Sequence, residues 1–341
     1  VSDVSPAAPS DQSAASAGRT IVFIHGLWLT SASWQPWIDR FAALGHTGLA
    51  PEWPGMDRDL DALRAEPTAD NRVGVVEVTD SYAKIVAALP EAPVLVGHSF
   101  GGLIVQLLLD RGLGAAGVAI SPAPVKGVLR LPIATLRSSA PVLTKPATRH
   151  RVVGLTADQW FYAFANTVSR GESDELYARL QVPTPGRPLW QAAFANVNPK
   201  APSKVDFGKA DRAPLLILGN DADHTVPASV SREAFTHQRK SGAITAYHEF
   251  PGRPHLTASV PGWEEVADLA PSPGRWRPAP ARSEHGSAGQ DGEKCTGSAD
   301  RPRSHGDGRQ TSASGETARS VSGSRSSSTS TAARTIVSAI S

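Results

Sequence analysis

The hexapeptide Gly97-His98-Ser99-Phe100-Gly101-Gly102 constrains this chain more than any other stretch. A short apolar run, Pro93-Val94-Leu95-Val96, leads into it, and a strongly apolar helical pattern, Leu103 to Leu109, leads out. A strand that turns at once into a helix forces strained backbone geometry on the residue at the bend. Glycines two positions to either side leave room for it. The serine at the apex then faces the first amides of a helix, a place suited to charge developing on a bound group. The six residues alone could be a Gly-rich connection with an incidental serine. With both flanks in place, the pattern predicts Ser99 as a nucleophile.

The same alternation runs through the rest of the body. Ile21-Val22-Phe23-Ile24 predicts a buried strand ending at His25-Gly26. Trp34, Trp37, Ile38 and Phe41 share one helical face, with Gly45 as the stop signal. Thr47 to Ala50 reads as a strand, and Val78, Tyr82, Ile85 and Leu89 mark a second helix ended by Pro90. Further strands are predicted at Gly117–Ile120, Pro214–Gly219 and Ile244–Phe250, with helices over 228–240 and from Gly262 to Leu269. Strands and helices alternating at this spacing predict an α/β fold with a mostly parallel sheet flanked by helices.

Residues 122–212 break the rhythm. They are Pro-rich, with a helical segment over Asp158–Val168 and aromatic groups at Trp160, Tyr162, Phe161 and Phe164, then Trp190 and Phe194. A bare loop of that length is uncommon, so a helical cap inserted into the core is predicted. The core is then 20–121 plus 213–269. Residues 1–19 read as a flexible leader. Residues 270–341 read as a Ser/Gly/Arg-rich disordered tail, because the apolar period vanishes at Pro271.

Composition narrows the function classes. The 341 residues are 40% hydrophobic, enough for one large core and an appendage. Net charge is +2, and residues 271–341 hold 10 Lys/Arg against 6 Asp/Glu, so the body is close to neutral. That balance predicts neither nucleic acid nor membrane as a partner. The single cysteine, Cys295, lies in the tail, which excludes an internal disulfide and any thiol nucleophile or cysteine metal site in the body. With no apolar signal segment, a cytoplasmic location is the default expectation.

A serine hydroxyl needs a base, and on a sheet of this kind the base follows the last strand. Of His150, His224, His237, His248 and His255, only His255 occupies a loop after that strand, in Phe250-Pro251-Gly252-Arg253-Pro254-His255. The orienting acid should follow the preceding strand, where Asp221 and Asp223 both stand in Gly219–Pro227. Asp223 is preferred, with Asp221 as the alternative acid or a turn residue bonded to its own backbone. A metal reading of Asp221, Asp223 and His224 lacks helical or paired ligand spacing. An oxyanion would be met by two backbone N–H groups, from Phe100 and, after the first strand, Leu27. His25 and His98 are read as buried structural histidines. Trp28, Trp160, Phe161 and Phe164 are candidate substrate-binding residues, with the alternative that they only pack the cap's own core.

The stretches IVFIHGLW (21–28), VLVGHSFGGL (94–103), LLILGNDADHTVP (215–227) and EFPGRPH (249–255) together resemble the α/β-hydrolase superfamily, in its lipase/esterase-like members. The resemblance covers residues 20–269. It implies a serine esterase acting on small or apolar carboxylic esters through an acyl-enzyme, with no cofactor and no metal. Ser99 would attack, His255 would take its proton, and Asp223 would steady His255. The same fold also carries C–C hydrolase, hydroxynitrile lyase and cofactor-free haloperoxidase chemistry, and non-catalytic small-molecule receptors. One departure is plain. The helix begun at Gly262-Trp263-Glu264-Glu265 normally continues in this family, whereas here it meets Pro271, which points to a non-native or out-of-frame extension or a disordered tail.

Overall fold

The computed structural model describes residues 18–67 and 72–270. The expectations for residues 1–17, for the tail from 271 and for Cys295 lie outside the described residues. The main sheet has six strands: β1 (Thr20–Ile24), β2 (Thr47–Leu49), β3 (Val94–His98), β4 (Ala116–Ile120), β5 (Leu215–Asn220) and β6 (Thr245–Phe250). Their spatial order is β2-β1-β3-β4-β5-β6, and every described pairing is parallel. The expected mostly parallel α/β sheet flanked by helices is thus observed.

Both faces of this sheet are covered, and the period-two pleat divides the apolar side chains between them. Ile21, Phe23, Val94, Val96, Val118, Leu216 and Leu218 face one side, together with Trp34, Trp37 and Phe41 of the first helical region. Val22, Ile24, Leu95, Ala119, Leu215 and Ile217 face the other. That second side is filled by Val78 and Tyr82 of a helix at Val75–Ala87, and by Leu103 to Leu109 of the helix Phe100–Asp110. The latter helix is buried along its length from Phe100 to Leu109 and apolar there except for Gln106, whose buried amide is satisfied by Gly102 O and Gln238. It presses so closely on β4 that a side chain on Gly117 would meet Val105 and Leu109 at 2.7 Å.

Between β4 and β5 the chain leaves the sheet. It forms helices at Ile133–Leu143, Ala157–Ala163, Arg170–Leu180 and Arg187–Ala193. A two-stranded antiparallel ladder within it pairs Val152 with Pro185 and Val153 with Thr184. The helix expected over 158–168 instead runs Ala157–Ala163. It starts with a capping box between Thr156 and Gln159. It stops because tertiary bonds take over: the Phe164 carbonyl accepts the Leu256 N–H at 2.9 Å, and Asn166 donates to the Ala222 carbonyl at 2.9 Å. No helix among the described residues is long and apolar enough to cross a membrane.

Candidate active site

β3 delivers the chain to Ser99, which has φ 56° and ψ −119°, a conformation that costs a non-glycine residue about 1–3 kcal/mol. Main-chain bonds hold it there. The Ser99 N–H donates to Ile120 O at 2.9 Å, and its carbonyl accepts from Ala123 N at 2.9 Å and Leu103 N at 3.2 Å. The flanking glycines are required by contact. A Cβ on Gly97 would stand 2.2 Å from the Gly101 carbonyl oxygen, and one on Gly101 would stand 1.9 Å from the Ile24 oxygen. Gly26 belongs to the same packing, because its Cβ would meet Ser99 Cβ at 2.8 Å.

The loop after β5 carries the acid. Asp223 is fully buried, and its Oδ1 accepts the N–H groups of Thr225 and Val226, both at 2.7 Å. Its Oδ2 lies 2.7 Å from Nδ1 of His255, which is also buried. Burial alone would raise the Asp223 pKa. The His255 charge and the hydrogen bonds from His255, Val226 and Ser121 outweigh it and hold the carboxyl below the usual aspartate value. Asp221 does a different job. It tethers the following loop, its Oδ1 accepting the Gly252 N–H at 2.5 Å.

His255 is engaged through one ring nitrogen only. Its Nδ1 faces Asp223, while its Nε2 is buried without a hydrogen-bond partner among the described residues. Ser99 Oγ therefore makes no hydrogen bond to it, a contact that commonly forms only when substrate binds. His98 holds His255 from behind, with its Nε2 2.7 Å from the His255 carbonyl oxygen. Burial first, and the neighbouring His255 charge second, press the His98 pKa down to about 3. His25 is likewise buried; its Nδ1 lies 2.9 Å from the Gly26 carbonyl, and its Nε2 meets the Trp53 N–H at 3.3 Å. His224, His237 and His248 are each engaged elsewhere, against Tyr162, Phe207 and Phe250 respectively.

Of the two backbone donors named from sequence, Leu27 lies on the loop after β1 and Phe100 directly follows Ser99. Phe100 opens its helix, so its N–H is one of the first-turn donors that lack an intrahelical acceptor. The Leu27 N–H has no acceptor among the described residues. On the cap side, Phe164 sets its ring edge-on to His255 at 4.9 Å, Trp28 meets Phe164 at 5.8 Å, and Trp160 stacks on Phe164 at 4.7 Å. Phe161 is not part of this stack; one residue further round the helix than Trp160, it lies under the Arg170 guanidinium at 5.6 Å. Ser99 itself is only 4% exposed. Two surface cavities, of about 500 Å³ beside Arg130 and Arg232 and about 210 Å³ beside Met56 and Pro183, are lined by none of Ser99, Asp223 and His255.

Two supporting residues, Ser121 and Asn220, carry no sequence signal of their own. Ser121, at the end of β4, has φ 42° and is buried, and its Oγ accepts Asn220 Nδ2 at 2.7 Å. Their only sequence signal is position: Asn220 ends β5, and Ser121 directly follows β4, the strand paired with it.

Comparison with known proteins agrees with this architecture. The model of the alpha/beta hydrolase family matches residues 21–271. A rice (Oryza sativa) protein named as an esterase, PIR7A, is 34% identical over 100 residues, 28% of this chain and 34% of the relative. A protein of Variovorax paradoxus named as a carbamate hydrolase, RutD, is 32% identical over 105 residues, 30% of this chain and 37% of the relative. These alignments span about a third of the length of each curated relative. Among solved structures, an extracellular alpha/beta-hydrolase from a Paenibacillus species superposes with a TM-score of 0.54 at 21% identity, over 74% of this chain and 97% of that one. A Mycobacterium tuberculosis protein named as a non-heme bromoperoxidase gives 0.55 at 19% identity, over 74% and 91%. At such identities these structures speak to the fold alone.

Proposed function

The chain belongs to the alpha/beta hydrolase family, and from that premise we propose that it is a serine hydrolase of carboxylic esters with small or apolar acyl groups. The observation that carries this reading is the buried Asp223–His255 pair at 2.7 Å, set beside a serine held at φ 56°. Ser99 Oγ attacks the ester carbonyl while His255 Nε2 takes its proton, and Asp223 keeps the other ring nitrogen protonated and stabilises the imidazolium. The Leu27 and Phe100 N–H groups receive the oxyanion. His255 then returns the proton to the departing alcohol, and water admitted by the same base releases the acid. Trp28, Trp160 and Phe164 form the apolar wall against which the substrate packs. The esterase names of partial relatives in rice support the reaction class.

The test is labelling by a fluorophosphonate probe alongside hydrolysis of p-nitrophenyl acetate and butyrate, in the wild type and Ser99→Ala. Labelling and turnover that both disappear in the variant are expected. A second reading, a small-molecule binding protein on the same fold, draws on the near-complete burial of Ser99 and the unpartnered His255 Nε2. A folded wild type that neither labels nor turns over would favour it.

A further inference from the structure

The three polar atoms of Trp28 are all engaged by the inserted cap. Its N–H donates to Thr184 Oγ1 at 3.2 Å, and its indole Nε1 donates to the Val153 carbonyl at 3.0 Å. Its carbonyl accepts the Val182 N–H at 3.1 Å. Val153 and Thr184 are direct partners in the short antiparallel ladder, so Trp28 is clamped by one cross-strand pair and its neighbour. Thr184 is 1% exposed, and nothing in the reaction scheme above uses it.

Trp28 needs such a clamp. Its φ is 63°, the left-handed region that a bulky side chain disfavours. Released, the residue would relax toward negative φ and turn the peptide it shares with Leu27. On the other side of Leu27, Gly26 is wedged against Ser99 with no space for a side chain. Leu27 is therefore fixed from both ends, by Gly26 against Ser99 and by Trp28 against the cap. Its N–H, buried and without an acceptor among the described residues, points where those two anchors set it.

We infer that Thr184 is a positioning residue for the oxyanion site, its hydroxyl holding the Trp28 N–H so that the Leu27 N–H meets the carbonyl oxygen of an ester as it becomes an oxyanion. The cap is then part of the catalytic geometry and not only a cover. The inference rests on the esterase reading and names a residue 156 positions from Trp28 in the chain that this reading alone does not require.

The experiment compares wild type, Thr184→Val and Thr184→Ser on p-nitrophenyl acetate, whose small acyl group makes the fewest demands on the cap. Valine keeps the shape and removes the acceptor; serine keeps the acceptor and removes the methyl. Loss of a whole oxyanion donor costs about 100-fold or more in kcat, and misdirecting one should cost less, about tenfold. Thr184→Val should lower kcat by about that factor with KM changed less than about twofold, and Thr184→Ser should recover it. A trifluoromethyl ketone, to whose carbonyl Ser99 adds with its proton passing to His255, should lose affinity by the same factor as kcat. The matching methyl ketone should not. If Thr184→Val does not fold, Thr184→Ala carries the same expectation. The inference is overturned if the folded valine or alanine variant keeps kcat within about twofold of wild type. It is equally overturned if serine and valine are impaired alike, or if the two ketones weaken together. A wild type without turnover or fluorophosphonate labelling would instead overturn the esterase reading, a result distinct from each of these.

Discussion

The ring of His98 and the main-chain carbonyl of His255 are joined by a 2.7 Å hydrogen bond, so the residue just before the candidate nucleophile fixes the backbone of the candidate base. Because the acceptor is a carbonyl oxygen, Nε2 of His98 carries the proton. The two rings lie 4.7 Å apart, and a charge on both would be unfavourable. Burial and the His255 charge keep His98 neutral, with its pKa near 3.

That shift makes an acid-stability prediction with a definite sign. The unfolded chain takes up a proton on His98 below about pH 6.5, whereas the folded chain resists it until about pH 3. The unfolded state therefore binds more protons between those limits, and stability falls as pH falls through that window. One proton contributes at most about 1.4 kcal/mol per pH unit. His98→Asn keeps a side-chain donor and removes the titration. Urea unfolding from pH 4 to 7 should show a shallower pH dependence in the variant; identical slopes would remove His98 from the account.

Asp223 and Asp221 separate cleanly by what they touch. Asp223→Asn can place an NH2 group opposite the His255 Nδ1–H, which favours the wrong tautomer or a broken contact. It should lower kcat by about 10⁴ while leaving the fold intact, since Oδ1 can go on accepting from Thr225 and Val226. Asp221→Asn should cost less than about tenfold, because that carboxylate only tethers Gly252. Steady-state kinetics on both variants decides; the opposite ranking would move the acid role to Asp221.

The parts of this molecule legible in its sequence are those written in local patterns. β3, its serine and the following helix share one continuous signal, and the full burial of Ile21 to Ile24 follows from a run of apolar residues. The cap is legible as an interruption of the strand–helix rhythm and in one helix, Ala157–Ala163, but not in the rest of its elements. Its helix Arg170–Leu180 buries Ser173, Leu176 and Leu180, too sparse an apolar face to stand out among charged residues. The ladder of Val152–Val153 with Thr184–Pro185 is two residues per strand, below any periodicity. Ser121, Asn220 and Thr184 were missed for one reason: each acts through a partner distant in sequence, and no spacing encodes such a contact.

The glycines around Ser99 predict a graded response to one added methyl group. Gly101→Ala would press Cβ to 1.9 Å from the Ile24 carbonyl oxygen, a main-chain atom that cannot move without shifting β1. A loss of about 3 kcal/mol or more is expected, together with loss of turnover. Gly112→Ala is the control: φ is +76° and nothing lies within 4 Å, so only the backbone term of about 1–2 kcal/mol should appear. Thermal unfolding of the two variants measures the difference. Equal destabilisation would show that contact at the bend does not require Gly101.

Ser121→Ala tests the support beneath the acid. The substitution removes the acceptor for Asn220 Nδ2, leaving a fully buried amide group without that bond, at a cost of about 1–3 kcal/mol. It also removes one of the contacts that favour the charged form of Asp223, so the Asp223 pKa should rise. Because a depressed carboxylate pKa gives stability that is lost as pH falls through its folded value, the acid limb of unfolding should move to higher pH in the variant. Activity near neutral pH should fall only several-fold, far less than in Asp223→Asn, since Thr225, Val226 and His255 still hold the carboxylate. Urea unfolding at several pH values, with kcat/KM at pH 7, reads both effects. A variant as stable as the wild type across that range would mean that the Ser121–Asn220 bond contributes nothing to holding Asp223 in place.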